Sequence, residues 1–262
     1  MMDDKFFDVN IVVGKRAVCY PGSYYDRETI EKKMAQYGIA RALVYHDAAR
    51  EDDPGKGNRL TLEFTNQSDK FYPVFVAIPH HTRPEFAPCK FLEELRAHKV
   101  RAVKIFPGAD AHNFMLHKVV SGELFEMLEA NRIPLLIGHN QAGLNDIYGI
   151  AQEFQDLRMI VTDFTYRQDR NLYALMDKME NVYIETIGYK TFGGIEEFCR
   201  HFGAHRLLYG SGMPLYSGAS AVSMIRYAEI SEEEKEKIAY KNLDRLLSEV
   251  SYLQGGTGCR PY

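Results

Sequence analysis

Eight alternations of a short apolar run with a stretch of helical period predict an α/β chain folded as a (β/α)8 TIM barrel with additional C-terminal helices. The chain length of 262 residues suits eight such units with little to spare. Chemically capable side chains also gather at the carboxyl ends of the apolar runs, where a barrel of parallel strands presents its loops.

The first run, FFDVNIVV (6–13), is rich in Phe, Val and Ile, is followed by Gly14 and reads as a buried strand. Asp8 and Asn10 interrupt it. Strict alternation sets Asp8, Asn10 and Val12 on one face and Phe7, Val9 and Ile11 on the other. A polar pair in a buried strand is either hydrogen-bonded or functional. DRETIEKKMAQYG (26–38) follows as a helix with a glycine stop.

ARALVYH (40–46) is the second strand, and the insert DAAREDDPGKGNR (47–59) after it reads as a charged loop that could serve as a lid, with Gly55 and Gly57 as hinges. GNRLTLEFTNQ (57–67) continues as a helix. The strands FYPVFVAI (71–78), VRAVKIF (100–106), IPLLIGH (133–139), LRMIVTDF (157–164), NVYIETI (181–187) and HRLLYGS (205–211) come next, each followed by one helical stretch. Parallel strands joined by right-handed helical crossovers follow from that alternation, with a doubly wound open sheet as the alternative to the closed barrel. Beyond the eighth unit, SEEEKEKIAYKNLDRLL (231–247) has Ser231 as an N-cap and acids in its first turn, as a helix dipole favours. We read one domain over residues 1–254 and a flexible tail over 255–262, where three glycines and a proline offer no periodic face.

A net charge of -4 without a dense basic cluster argues against nucleic acid or a membrane surface as partner and leaves a small-molecule ligand or substrate. No apolar run reaches membrane-spanning length, and a cytoplasmic protein is expected. The four cysteines stand far apart without a CxxC pair, so four reduced thiols are expected rather than a zinc ribbon or a disulfide framework. The aromatic content, 17 Tyr and 15 Phe, is compatible with a homodimer interface.

The strand ends carry Asn10, His46, His80 with His81, Lys104, His139, Asp163, Glu185 and Ser211. His139, Asp163 and Lys104 are the candidate catalytic residues, and Asn10, His46, His80, Glu185 and Ser211 the candidate ligand contacts. Lys104 is the odd residue of an apolar strand, where a lysine needs a carboxylate partner or an anionic ligand. His46 shares strand parity with Ala42 and Val44, and His139 with Leu135 and Ile137; each is a site residue or a satisfied core histidine.

FFDVNIVVG, IPLLIGHNQAG, FQDLRMIVTDF, NVYIETIG, HRLLYGSGMPL and YKNLDRLL occur in the order and spacing of motifs of the amidohydrolase superfamily, and the chain resembles its amidohydrolase-related branch of metal-dependent hydrolases and decarboxylases. The resemblance implies a divalent metal, zinc or manganese, held by two histidines of the first strand, histidines ending the fifth and sixth, and an aspartate of the eighth. Those positions hold Asn10, Val12, Gly138, Asp163 and Gly212 here. Valine and glycine cannot ligate, so most of the implied set is replaced. Three readings follow. One is a hydrolase or decarboxylase for a small carboxylate-bearing molecule with a rearranged metal set such as His139, Asp163 and His46 or Glu185. The second is an enzyme without metal, in which Lys104 steadies an anionic substrate group or developing oxyanion and His139 or Asp163 acts as acid or base. The third is a non-catalytic barrel that binds a small ligand or a protein partner.

Overall fold

The computed structural model describes residues 5–252; the tail assigned to 255–262 lies outside them. Nine strands run β1 (Phe6–Val13), β2 (Ile39–His46), β3 (Phe71–Pro73), β4 (Phe75–Val76), β5 (Val103–Ile105), β6 (Leu135–Gly138), β7 (Met159–Thr162), β8 (Val182–Glu185) and β9 (Leu207–Leu208). All neighbours are parallel, in the orders β1-β2-β3 and β4-β5-β6-β7-β8-β9. Two seams join these arrays. At Val74 the third predicted strand breaks, because Pro73 has no N–H to donate; Val74 N–H then bonds Val44 O at 2.8 Å and Phe75 N–H bonds Ala102 O at 3.3 Å. At the other seam Val9 N–H donates to Tyr209 O and Val12 N–H to Met213 O, both at 3.0 Å. The eight predicted strands thus close into one barrel.

Around it lie α1 (Arg27–Tyr37), α2 (Ala48–Glu51), α3 (Pro54–Thr65), α4 (Pro88–Ala97), α5 (Lys118–Ala130), α6 (Leu144–Glu153), α7 (Asp169–Lys178), α8 (Gly194–Phe202) and α9 (Gly218–Arg226). The chain then runs through α10 (Glu232–Glu236) and a π-type turn into α11 (Asn242–Ser248). Asp26 caps α1 through Thr29 N–H, and Gly38 ends that helix at φ 78°. Ser231 and Glu234 form the capping box of α10.

The insert after β2 departs from the loop expected of it. It folds into α2 and the first turn of α3, where Asp53 accepts Lys56 N–H at 2.7 Å and Pro54 fits the first turn. Gly57 is no hinge: a Cβ there would overlap the Ala49 backbone, so it is the residue that lets α3 lie on α2. Cys19 and Cys199 are free, whereas Cys89 is disulfide-bonded, which differs from the expectation of four reduced thiols. None of the helices among the described residues is long and apolar enough to cross a membrane.

Two apolar clusters follow from the alternation of strand side chains. The outer one packs strand residues such as Ala42, Val44, Leu135 and Ile137 against the helices. The inner one fills the barrel with Phe7, Val9, Leu43, Leu136, Ile160 and Leu208, and Leu243, Leu246 and Leu247 of α11 join it. Asn242 anchors that helix, its amide donating to Ala204 O and Leu207 O, both at 2.8 Å, from a buried position. Asn242→Ala leaves both carbonyls unserved and is expected to lower stability by about 2 kcal/mol in urea denaturation; a change within a few tenths would show that α11 is held by its leucines alone.

Candidate active site

The inner alternation runs out at the carboxyl ends of the strands, and there a cavity of about 420 Å³ opens. Its floor is made by Asn10 and Val12 of β1, Lys104 of β5, Gly138 ending β6, Asp163 after β7, and Gly212 after β9. Tyr20, Tyr45, Phe106 and Tyr216 supply aromatic walls, and Arg16 and Arg50 two further cations.

Strict alternation in β1 fails, and the failure shapes the floor. Asp8 pairs with Ala42 and Ile11 with Val44, three residues of β1 against two of β2, so a β-bulge lies between. Phe7 and Val9 face the inner cluster, but beyond the bulge Ile11 and Val13 join the outer one and Val12 turns inward. The Asp8 carboxylate fastens this kink. Its Oδ1 accepts the N–H of Asn10 and the N–H of Ser211, both at 3.0 Å, tying β1 to the loop after β9. Asp8 is therefore the member of the polar pair that holds backbone N–H groups, and Asn10 the one that faces the cavity.

Burial pushes the Asp8 carboxyl up to about 6 against the lowering pull of its Ser211 and Asn10 hydrogen bonds. A folded-state pKa above the ordinary value means that the native protein holds the extra proton, so this group's contribution to stability fades as pH rises from about 4 to about 6. Asp8→Asn cannot lose that proton. Its stability relative to wild type should improve by about 2–3 kcal/mol between pH 4 and pH 7. Urea denaturation of both proteins across that range checks the sign, and a constant difference would contradict it.

Lys104 lies on the inner face of β5, 2% exposed. Its Nζ donates to Asn10 Oδ1 at 2.8 Å and stands 4.6 Å from the Tyr45 ring centroid and 5.4 Å from that of Phe106. This partner is a neutral amide; among the described residues Lys104 makes no direct ion pair, in contrast to the buried pair a lysine there could have made with Asp8, Asp163 or Glu185. Burial lowers its pKa, while the charges of Asp163 and Glu185 act in the raising direction.

Asp163 reaches the cavity because its φ of 59° ends the extended run of β7 and turns the carboxylate inward. Its Oδ2 accepts from Thr162 Oγ1 at 3.1 Å and its N–H donates to Glu185 Oε2 at 3.0 Å. Glu185 is fully buried behind it, with no hydrogen-bond partner at Oε1 among the described residues. Burial first, then the nearby charges of Asp163 and Asp8, raise its pKa well above the usual carboxylate range. Glu185 is a support under Asp163 rather than part of the cavity lining. Ser211 is likewise buried, its N–H on Asp8 and its Oγ accepting Met213 N–H at 3.1 Å.

The three histidines singled out from sequence fall outside the lining. His139 continues the outer parity of Leu135 and Ile137 and packs 5.4 Å from the Phe164 ring centroid, while Gly138 takes the inward position. His46 continues the outer parity of Ala42 and Val44, and its Nδ1 accepts Ala48 N–H at 3.1 Å. His80 stacks on His81 at 4.4 Å and lies 3.7 Å from Glu123. The set His139, Asp163 and His46 is thus split between opposite faces of the strands.

Arg16, Arg50, Tyr45 and Tyr216 are lining residues that the strand-end reading missed. Tyr45 could have been found from the inner parity it shares with Leu43. The other three sit in loops or on α2, where no periodicity reports direction. Arg16 Nε lies 3.3 Å from the buried Asp47 carboxylate, and Arg50 bonds Asp110 Oδ2 at 2.7 Å, which holds both guanidinium groups at the mouth. Burial pushes Asp47 up to about 6, with Arg16 pulling the other way.

All five positions at which the sequence resemblance implies metal ligands line this one cavity: 10, 12, 138, 163 and 212. Among the described residues Asp163 is the single carboxylate of the lining; Asn10 offers an amide oxygen already taken by the Lys104 ammonium, and the side chains of Val12, Gly138 and Gly212 offer no donor. Among the described residues no three His, Cys, Asp or Glu side chains are gathered as a metal site. Zinc needs about three such ligands, so these residues do not fit the metal centre that the resemblance implies.

The comparisons agree with the fold. An uncharacterised TIM-barrel protein from Bordetella bronchiseptica superposes with a TM-score of 0.71 at 21% identity, covering 86% of this chain and 83% of that one. The 2,6-dihydroxybenzoate decarboxylase from Rhizobium gives 0.73 at 15% identity, covering 94% and 99%. A 5-carboxyvanillate decarboxylase from Novosphingobium aromaticivorans, solved with manganese and a nitrobenzoic acid, gives 0.73 at 12% identity, covering 94% and 98%. A search of curated proteins returns no match. The amidohydrolase family model matches residues 15–248. A closed barrel of parallel strands, together with a family-model match over residues 15–248, places this chain in the amidohydrolase family.

Proposed function

We propose that this chain is a metal-independent member of its family that binds a small carboxylate-bearing molecule and decarboxylates it. The carrying observation is the buried Lys104 ammonium, held by the neutral Asn10 oxygen on the floor bounded by the five motif positions. A cation in a low-dielectric site without a direct carboxylate partner favours an anionic ligand beside it. Arg16 and Arg50 add positive charge at the mouth, and the aromatic walls suit a flat ligand. Decarboxylation leaves an electron pair on the substrate, which the ammonium steadies where a metal-dependent relative would use its ion. Asp163, the lining carboxylate, is the group positioned to exchange a proton with the substrate.

The test is calorimetric binding of benzoate and 2,6-dihydroxybenzoate with and without chelator, followed by product analysis of the second compound. Binding indifferent to chelator, with loss of carbon dioxide, supports the reading. Binding without turnover of any carboxylate in a panel favours the non-catalytic barrel, and binding that needs added manganese overturns metal independence.

A further inference from the structure

The geometry points to Lys104 as an amine nucleophile that forms an imine with the keto carbon of a small 3-oxo carboxylate and releases carbon dioxide from it. This goes beyond the reading above, where Lys104 acts as a charge, and rests on that reading for the carboxylate site at Arg16 and Arg50.

Among the described residues Lys104 is the single primary amine of the lining. The residue is 2% exposed, and its Nζ lies beside the Tyr45 and Phe106 rings, 4.6 and 5.4 Å from their centroids. A lysine becomes a nucleophile for carbonyl carbon when desolvation in an apolar pocket frees its lone pair. Here one N–H is donated to Asn10 Oδ1 at 2.8 Å, a neutral acceptor to which a free amine can also donate. Burial lowers the Lys104 pKa and so enlarges the free-amine fraction. Asp163 lines the same cavity, with its backbone held by Glu185, and gives the step a carboxyl group for proton exchange.

The chemistry balances without a further reagent. Nζ attacks the keto carbon, the carbonyl electron pair moves to oxygen, and two protons carry that oxygen away as water, leaving a protonated imine. The bond to the carboxylate carbon breaks, its pair enters the iminium to give an enamine, and carbon dioxide departs. Protonation of the enamine carbon and addition of water return the ketone and free Lys104. The net change is 3-oxo carboxylate plus a proton to ketone plus carbon dioxide.

The full-length protein treated with acetoacetate and cyanoborohydride, digested and mapped by mass spectrometry, tests this. The expected result is a reduced adduct concentrated on Lys104 and absent from Lys104→Arg, which keeps the charge but not the nucleophile. If Lys104 stays unmodified while benzoate still binds, the nucleophile is overturned and the anion-contact reading stands. An adduct at Lys104 in a protein that binds no benzoate keeps the nucleophile and removes the anion contact.

Discussion

Lys104→Met is expected to weaken benzoate binding by about 30- to 100-fold, the equivalent of ~2–3 kcal/mol for a charged hydrogen bond lost from a buried site. Folding should survive. Methionine replaces an ammonium that is costly to bury, and the inner cluster around position 104 is apolar, so removing the charge offsets the loss of the bond to Asn10. Thermal denaturation is therefore expected to show a melting temperature equal to or above that of the wild type. Unchanged affinity in a folded variant would contradict the anion-contact role of Lys104 directly, and a collapsed melting temperature would show the lysine to be structural instead.

The second large effect is on the scaffold. A Cβ added at Gly188 would overlap the Phe164 carbonyl oxygen and lie 2.8 Å from its carbon, and both are backbone atoms with no rotamer to relieve the clash. Gly188→Ala is expected to cost about 3–4 kcal/mol. Because Phe164 follows Asp163, the displaced segment also carries the lining carboxylate away from its place. Gly149→Ala is the control. Gly149 lies in α6 with nothing within 4 Å of an added Cβ, so alanine there should be neutral or stabilising by up to ~1 kcal/mol. Urea denaturation of the pair measures both, and equal midpoints would disprove the packing argument.

The histidines lie outside the cavity lining for a reason of strand geometry. Ligand chemistry drew attention to His46, His80 and His139, yet strand parity turns His46 and His139 toward the helices, and His80 sits in a 3-10 turn against His81. Parity was available in the sequence: Ala42 and Val44, or Leu135 and Ile137, are as apolar as their inward neighbours, so composition alone does not say which set faces the barrel. The motif positions were more informative, since 10, 12, 138, 163 and 212 do meet in one cavity.

Local spacing of apolar residues sufficed for the alternating strands and helices, the eight strand positions, the caps at Gly38 and Ser231, and the placing of Lys104 and Asp163 at strand ends, because each depends on neighbours within a turn or a strand. Tertiary structure alone decided the bulge clamped by Asp8, the left-handed turn at Asp163, the neutral partner of Lys104 and the arrival of Arg16 and Arg50. Those features arise from pairings across the sheet and between distant loops, such as Asp8 with Ser211 and Lys104 with Asn10, and no periodicity along the chain encodes what a residue meets there.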